Sequence, residues 1–123
     1  MRVGSTPDVA PSVLIVDDDL STASWLKAVL RYAGYGATAV HGAAEALAYL
    51  DRERPALVLT DLEMPGTSGW TLISEIRRRH PALRIAVITA ETAAPSGLAA
   101  LRKPARIDEL LRFVAACVRP LDP

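Results

Sequence analysis

Five side chains in this sequence could do chemistry together: Asp17, Asp18, Asp61, Thr89 and Lys103. Asp17 and Asp61 each follow a short apolar run, Thr89 closes another, and Lys103 comes just after a fourth. If these run ends meet, the three carboxylates repel one another. Two like charges about 4 Å apart cost roughly 4 kcal/mol at an effective dielectric near 20. A proton, a lysine or a divalent cation relieves that repulsion. An all-oxygen set without His or Cys suits magnesium rather than zinc. Magnesium also accepts phosphate oxygens, and an aspartate held beside it can act as a nucleophile on phosphorus. Thr89 then offers a hydroxyl and Lys103 a cation to the remaining phosphoryl oxygens. Phosphoryl transfer mainly needs such positioning and charge neutralisation.

The elements that must bring these residues together are legible. Val13-Leu14-Ile15-Val16 is continuous, apolar and rich in β-branched residues, which predicts a strand buried on both faces. Asp19 or Ser21 caps a helix with Ala23, Leu26, Val29, Leu30 and Ala33 on one face, and Gly34 stops it. A weak strand over Ala37–Val40 leads to a helix carrying Ala43, Ala46, Leu47 and Leu50, ended near Pro55. A strand over Ala56–Thr60, a helix from about Ser68 to Arg79 and a strand over Ile85–Thr89 follow. A fifth strand is expected over Gly97–Arg102, starting near Leu98, and Ile107, Leu110, Leu111, Val114 and Val118 mark a last helix. Alternating strands and helices imply an α/β fold, a doubly wound parallel sheet flanked by helices, with right-handed crossovers. Ligands bind outside the carboxyl ends of such strands. All five residues above fall at that edge.

Composition narrows the function classes. The 123 residues fit one domain, and half are hydrophobic, enough for a packed core. A net charge of zero speaks against a broad nucleic-acid surface. A single cysteine rules out an internal disulfide and suggests a cytoplasmic location. No run approaches the ~18 apolar residues of a membrane span, so no membrane is expected. Residues 1–11 read as a flexible tail, 12–119 as the domain and 120–123 as a second tail.

Four segments, in order, resemble the receiver domains of bacterial response regulators. They are Val13 to Asp19, Leu59 to Gly69, Val87-Ile88-Thr89-Ala90 and Lys103-Pro104. The resemblance covers about residues 12 to 118. It implies a flavodoxin-like sheet of five strands in the order 2-1-3-4-5 and a stand-alone CheY-like module of a two-component phosphorelay. It implies that Asp61 is the phosphoacceptor. Asp18 would bind Mg2+ directly, Asp17 directly or through water, and the Glu63 backbone carbonyl would complete the ligands with Asp61. Thr89, Ala90 and Lys103 would form the phosphate-binding and switch group, and Lys103-Pro104 would be a cis peptide. The donor would be a sensor histidine kinase or a phosphotransfer protein, and an undefined downstream protein would read the result. Catalysis would be limited to transfer onto its own Asp61. Glu63 and Glu91 would tune phosphoryl lifetime.

The sequence also departs from that pattern. Residues 90–97 fall short of the dozen or so that a parallel crossover ordinarily uses, and Pro95 and Gly97 disfavour a helix. The fourth helix is therefore expected to be absent or reduced to one turn. The switch aromatic, three residues before Lys103, is Ala100. The thinned face could be covered by a second copy, giving a homodimer through a non-standard surface.

Other readings stay open. A pseudo-receiver would bind a partner without phosphorylation. Val13 to Ser21 also resembles the opening of haloacid-dehalogenase-type phosphatases, with Asp17 as nucleophile and Asp19 as acid/base. Asp19 fits a helix cap better than a ligand. Arg77-Arg78-Arg79-His80 fits a solvated helix end. His41 reads as a surface residue, Trp25 and Trp70 as partly buried, and Cys117 as a small core hydrophobe.

Overall fold

The computed structural model describes residues 11–64, 66, 68–90 and 97–118. Its strands are β1 (Ser12–Val16), β2 (Gly36–Val40), β3 (Leu57–Thr60), β4 (Ile85–Thr89) and β5 (Ala99–Arg102). They form one parallel five-stranded sheet in the order β2-β1-β3-β4-β5. Four helices occur among the described residues: α1 (Leu20–Tyr32), α2 (Ala43–Leu50), α3 (Gly69–Arg79) and α4 (Ile107–Val118). None is long and apolar enough to cross a membrane.

The sheet separates two apolar layers. On one face Leu14, Val16, Val58 and Val87 pack with Leu50 of α2 and with Leu72 and Ile76 of α3. On the other, Ile15, Leu59 and Ile88 pack with Leu26 and Leu30 of α1 and with Leu110 and Val114 of α4. The side chains of β1 and β3 alternate between these layers, so their unbroken apolar runs follow from burial on both sides. Each buried Leu or Ile contributes about 1.5–3 kcal/mol relative to exposure.

Local chemistry sets the helix ends. The Asp19 side chain accepts from the Ser21 and Thr22 amides and starts α1, and Gly34, at φ 101°, turns the chain out after Ala33. Ser68 caps α3 through the Thr71 amide. Arg77, Arg78 and Arg79 occupy its last turn, where cations complement the helix dipole. Arg78 and Arg79 pair with Glu75 there on an exposed surface.

Several boundaries differ from the sequence expectation. Helix α2 stops at Leu50, well before Pro55. The Asp51, Arg52 and Glu53 amides close back on Leu47 and Tyr49, and the Arg54 guanidinium caps the Leu50 carbonyl. Residue 54 must in any case leave helical geometry before a proline. Strand β5 starts at Ala99 rather than Gly97, because Gly97 has φ 80° and forms the turn into it. The expected loss of the fourth helix falls on residues 91–96, which lie outside the described residues, as do both expected tails apart from Pro11. Strand β5 itself is largely open, with Ala99, Ala100 and Arg102 exposed.

Candidate functional site

The carboxyl ends of β1, β3 and β4 meet at one edge. The Asp17 amide donates to the Val40 carbonyl and the Asp61 amide to the Val16 carbonyl, so both acids are fixed by the sheet before their side chains are considered. The Lys103 amide donates to the Thr89 carbonyl, which brings the lysine to the same edge. The Lys103-Pro104 peptide is cis.

The three consecutive aspartates have three different environments. Asp17 is 1% exposed, and its Oδ1 accepts from the Asp19 amide at 3.0 Å. Asp18 is exposed. Asp19 is used by α1 as its cap, which holds its carboxyl below the ordinary range chiefly through the Thr22 amide. Its bonds to the Ser21 and Thr22 amides match the helix-cap reading of Asp19.

Asp61 is 6% exposed, and its Oδ1 accepts from the Glu63 amide at 3.1 Å. Lys103 Nζ lies 3.0 Å from Asp17 Oδ2 and 2.9 Å from Asp61 Oδ2. Burial pushes the ammonium toward neutrality, but hydrogen bonds to Asp61 and Asp17 outweigh it and raise the Lys103 pKa. Thr89 is buried at the end of β4, and Ala90 after it is exposed.

Asp17, Asp18 and Asp61 each offer an oxygen within 4.8 Å of the others. Lys103 with Asp17, Asp18 and Asp61 carries a formal charge of minus two (one minus three). The cluster contains no nitrogen or sulfur donor. Excess negative charge and hard oxygen donors fit a magnesium-like cation.

Three contacts were not legible in the sequence. Gly69 packs beneath the acceptor loop, its amide 3.0 Å from the Leu62 carbonyl. Thr60 is buried, with its hydroxyl donating to the Asp61 carbonyl at 2.9 Å. His41 is exposed as expected, yet its Nδ1 lies 3.2 Å from the Asp17 carbonyl oxygen. The Gly69 and His41 contacts depend on how loops fold back, and the Thr60 contact on which way a strand-end hydroxyl turns. Trp25 and Trp70 keep 38% and 45% of their surface exposed, on α1 and α3.

Comparison with known proteins agrees with this fold. Residues 13–111 match the response regulator receiver domain family. Over 114 residues the chain is 33% identical to the DNA-binding transcriptional regulator NtrC of Escherichia coli, covering 86% of this chain and 24% of that protein. It is 37% identical over 97 residues to the response regulator protein FleR of Pseudomonas aeruginosa, covering 79% and 20%. The chain thus spans about a quarter or less of these relatives. Among solved structures, a response regulator receiver protein from Pseudomonas putida superposes with a TM-score of 0.81 at 32% identity, covering 89% of this chain and 99% of that one. The chemotaxis response regulator CheY4 of Vibrio cholerae gives a TM-score of 0.80 at 25% identity, covering 88% and 98%.

Proposed function

The chain belongs to the response regulator receiver domain family of two-component systems, and from that premise we propose that it accepts a phosphoryl group on Asp61 in a Mg2+-dependent reaction. The observation that carries the proposal is the pairing of buried Asp61 with Lys103 Nζ at 2.9 Å beside two further carboxylates. Asp17, Asp18, Asp61 and the Glu63 carbonyl would hold the ion. When bound, it supplies positive charge to the phosphoryl oxygens.

The rest is done by the chain. A carboxylate oxygen of Asp61 attacks phosphorus as the bond to the donor's leaving group breaks. The Glu63 amide, bonded to Asp61 Oδ1, fixes the rotation of the nucleophile. Lys103 neutralises one phosphoryl oxygen and the Thr89 hydroxyl donates to another, with Ala90 beside it. The donor is a sensor histidine kinase or a phosphotransfer protein, and the output is contact with another protein in the cytoplasm. Phosphoryl transfer relies on such positioning and electrostatics.

Intact-mass measurement after treatment with acetyl phosphate and MgCl2 tests this. One phosphoryl adduct is expected, lost in Asp61→Ala and without Mg2+. An adduct that survives Asp61→Ala and disappears in Asp17→Ala would overturn the assignment in favour of phosphatase-like chemistry. No adduct under any condition would favour a pseudo-receiver.

A further inference from the structure

The amino edge of the sheet, opposite the acid cluster, carries a cleft of about 360 Å3, the size of a small-molecule site. Leu57, Ile85 and Ala99, the first residues of β3, β4 and β5, line it. Asp61 follows the other end of β3, roughly 13 Å away along a four-residue strand. Two guanidinium groups from different elements face this cleft: Arg77 of α3 and Arg84, just before β4. No acidic side chain lines it among the described residues.

Arg77 differs from its neighbours in the arginine run. Arg78 and Arg79 both pair with Glu75, whereas Arg77 makes no hydrogen bond or ion pair among the described residues. Its head group lies instead beside the turn into β5, with Nη2 4.0 Å from where a Cβ on Gly97 would stand. Arg84 donates to the Cys117 carbonyl at 3.1 Å, which fixes that guanidinium at the cleft wall. Between the two cations the surface is apolar, with Leu57, Leu83 and Leu98.

We propose that this cleft binds a phosphomonoester carried on a compact apolar body. Guanidinium forks match phosphate oxygens, and two positive groups favour a dianion over a monoanion. The leucines suit a ring or short hydrocarbon, whose burial adds apolar contact. The proposal does not rest on phosphorylation of Asp61, since no residue of the acid cluster lines the cleft. A bound phosphate bridges α3 to the segment before β4, and the Arg84–Cys117 bond extends that link to α4. Binding should therefore raise the melting temperature by mass action.

NMR titration of the full chain with phenyl phosphate tests the site, in EDTA so that no divalent cation loads the acid cluster. The amides of residues 97–99 should shift saturably at millimolar ligand, while those of Asp17 and Asp61 stay in place. Inorganic phosphate should bind more weakly for lack of an apolar body, and benzoate for lack of the second negative charge. Arg77→Gln should weaken phenyl phosphate binding about tenfold, the scale of one lost charge-assisted hydrogen bond. Arg78→Gln removes the same charge from the same helix outside the cleft, and should change the affinity less than about twofold because screened surface charges act weakly. Absence of a saturable shift at residues 97–99 in wild type would overturn the proposal. Equal losses in Arg77→Gln and Arg78→Gln would overturn it too, by reducing the effect to general surface attraction. Benzoate or inorganic phosphate binding as tightly as phenyl phosphate would overturn the ligand class. All of these outcomes leave the phosphorylation of Asp61 untouched.

Discussion

Gly69 lies so close beneath Asp61 that a Cβ at position 69 would stand 2.3 Å from the Asp61 carbonyl oxygen and 2.6 Å from Leu62 Cα. The first residue of α3 therefore rests directly on the backbone of the proposed nucleophile. Both obstructing groups are main chain, so neither can rotate away as a side chain would. In Gly69→Ala the helix or the acceptor loop must shift. Overpacking of this kind costs about 1–3 kcal/mol. The phosphorylation rate at equal folded protein should fall at least tenfold, on the order expected from small misplacement of a reacting group. Gly42→Ala is the control: its Cβ would meet nothing within 4 Å. Acetyl phosphate kinetics should be unaltered there. Equal rates in both variants would show that Gly69 does not position Asp61.

Asp19 and Asp18 should separate stability from metal binding. Asp19 caps α1 and its carboxyl titrates low, chiefly because of the Thr22 amide. Its folded pKa lies below the ordinary value of 3.8, so its stabilisation is present above that pH and is lost as pH falls through the folded value. Asp19→Ala should lower the melting temperature by a few degrees at pH 7, with little change in Mg2+ affinity. The gap to wild type should close as the pH drops below 3.8. A gap that widens in acid would contradict the capping role.

The opposite pattern is expected for Asp18→Asn. Asp18 is exposed, and its carboxylate adds repulsion to the buried pair. Removing that charge should leave the melting temperature unchanged or slightly higher. It should also weaken Mg2+ binding by about tenfold or more, since a hard cation loses an anionic ligand. Calorimetry and a thermal melt on the same sample separate the effects. Intact Mg2+ affinity would show that Asp18 is not a ligand.

How much of this was readable beforehand follows from which forces act locally. Strands β1, β3 and β4 are buried on both faces, so burial wrote them as unbroken apolar runs. The acids and Thr89 stand at the ends of those runs, and the edge rule for parallel sheets brought them together. Asp19 as a cap rather than a ligand was also legible, because capping is a contact over two or three residues. The end of α2 was less so, since the bonds from Arg52, Glu53 and Arg54 back to the helix leave no periodic mark. The edge rule brought distant segments to one place but left their individual contacts unspecified. Nothing near residue 69 says that it must lack a Cβ, and nothing near residue 103 says that its ammonium bridges two acids.

Cys117 provides a test of packing far from the acid cluster. It lies on α4, half-buried against the layer that holds Leu26, Leu30 and Ile88. Burial raises its thiol pKa above the ordinary 9.0, partly opposed by the positive charge of Arg84. Arg84 also donates to the Cys117 carbonyl at 3.1 Å, tying α4 to the segment before β4. The thiolate is the reactive form. Iodoacetamide at pH 8 should therefore modify the folded protein much more slowly than the same chain in urea. The linkage has a definite sign. The folded state favours the neutral thiol, so its contribution to stability is complete below pH 9.0 and is lost as pH rises through 9.0 toward the folded value. Cys117→Ala removes the ionisable group and should flatten that part of the alkaline stability profile. Equal alkylation rates in folded and unfolded protein would mean that α4 does not hold this side chain against the sheet.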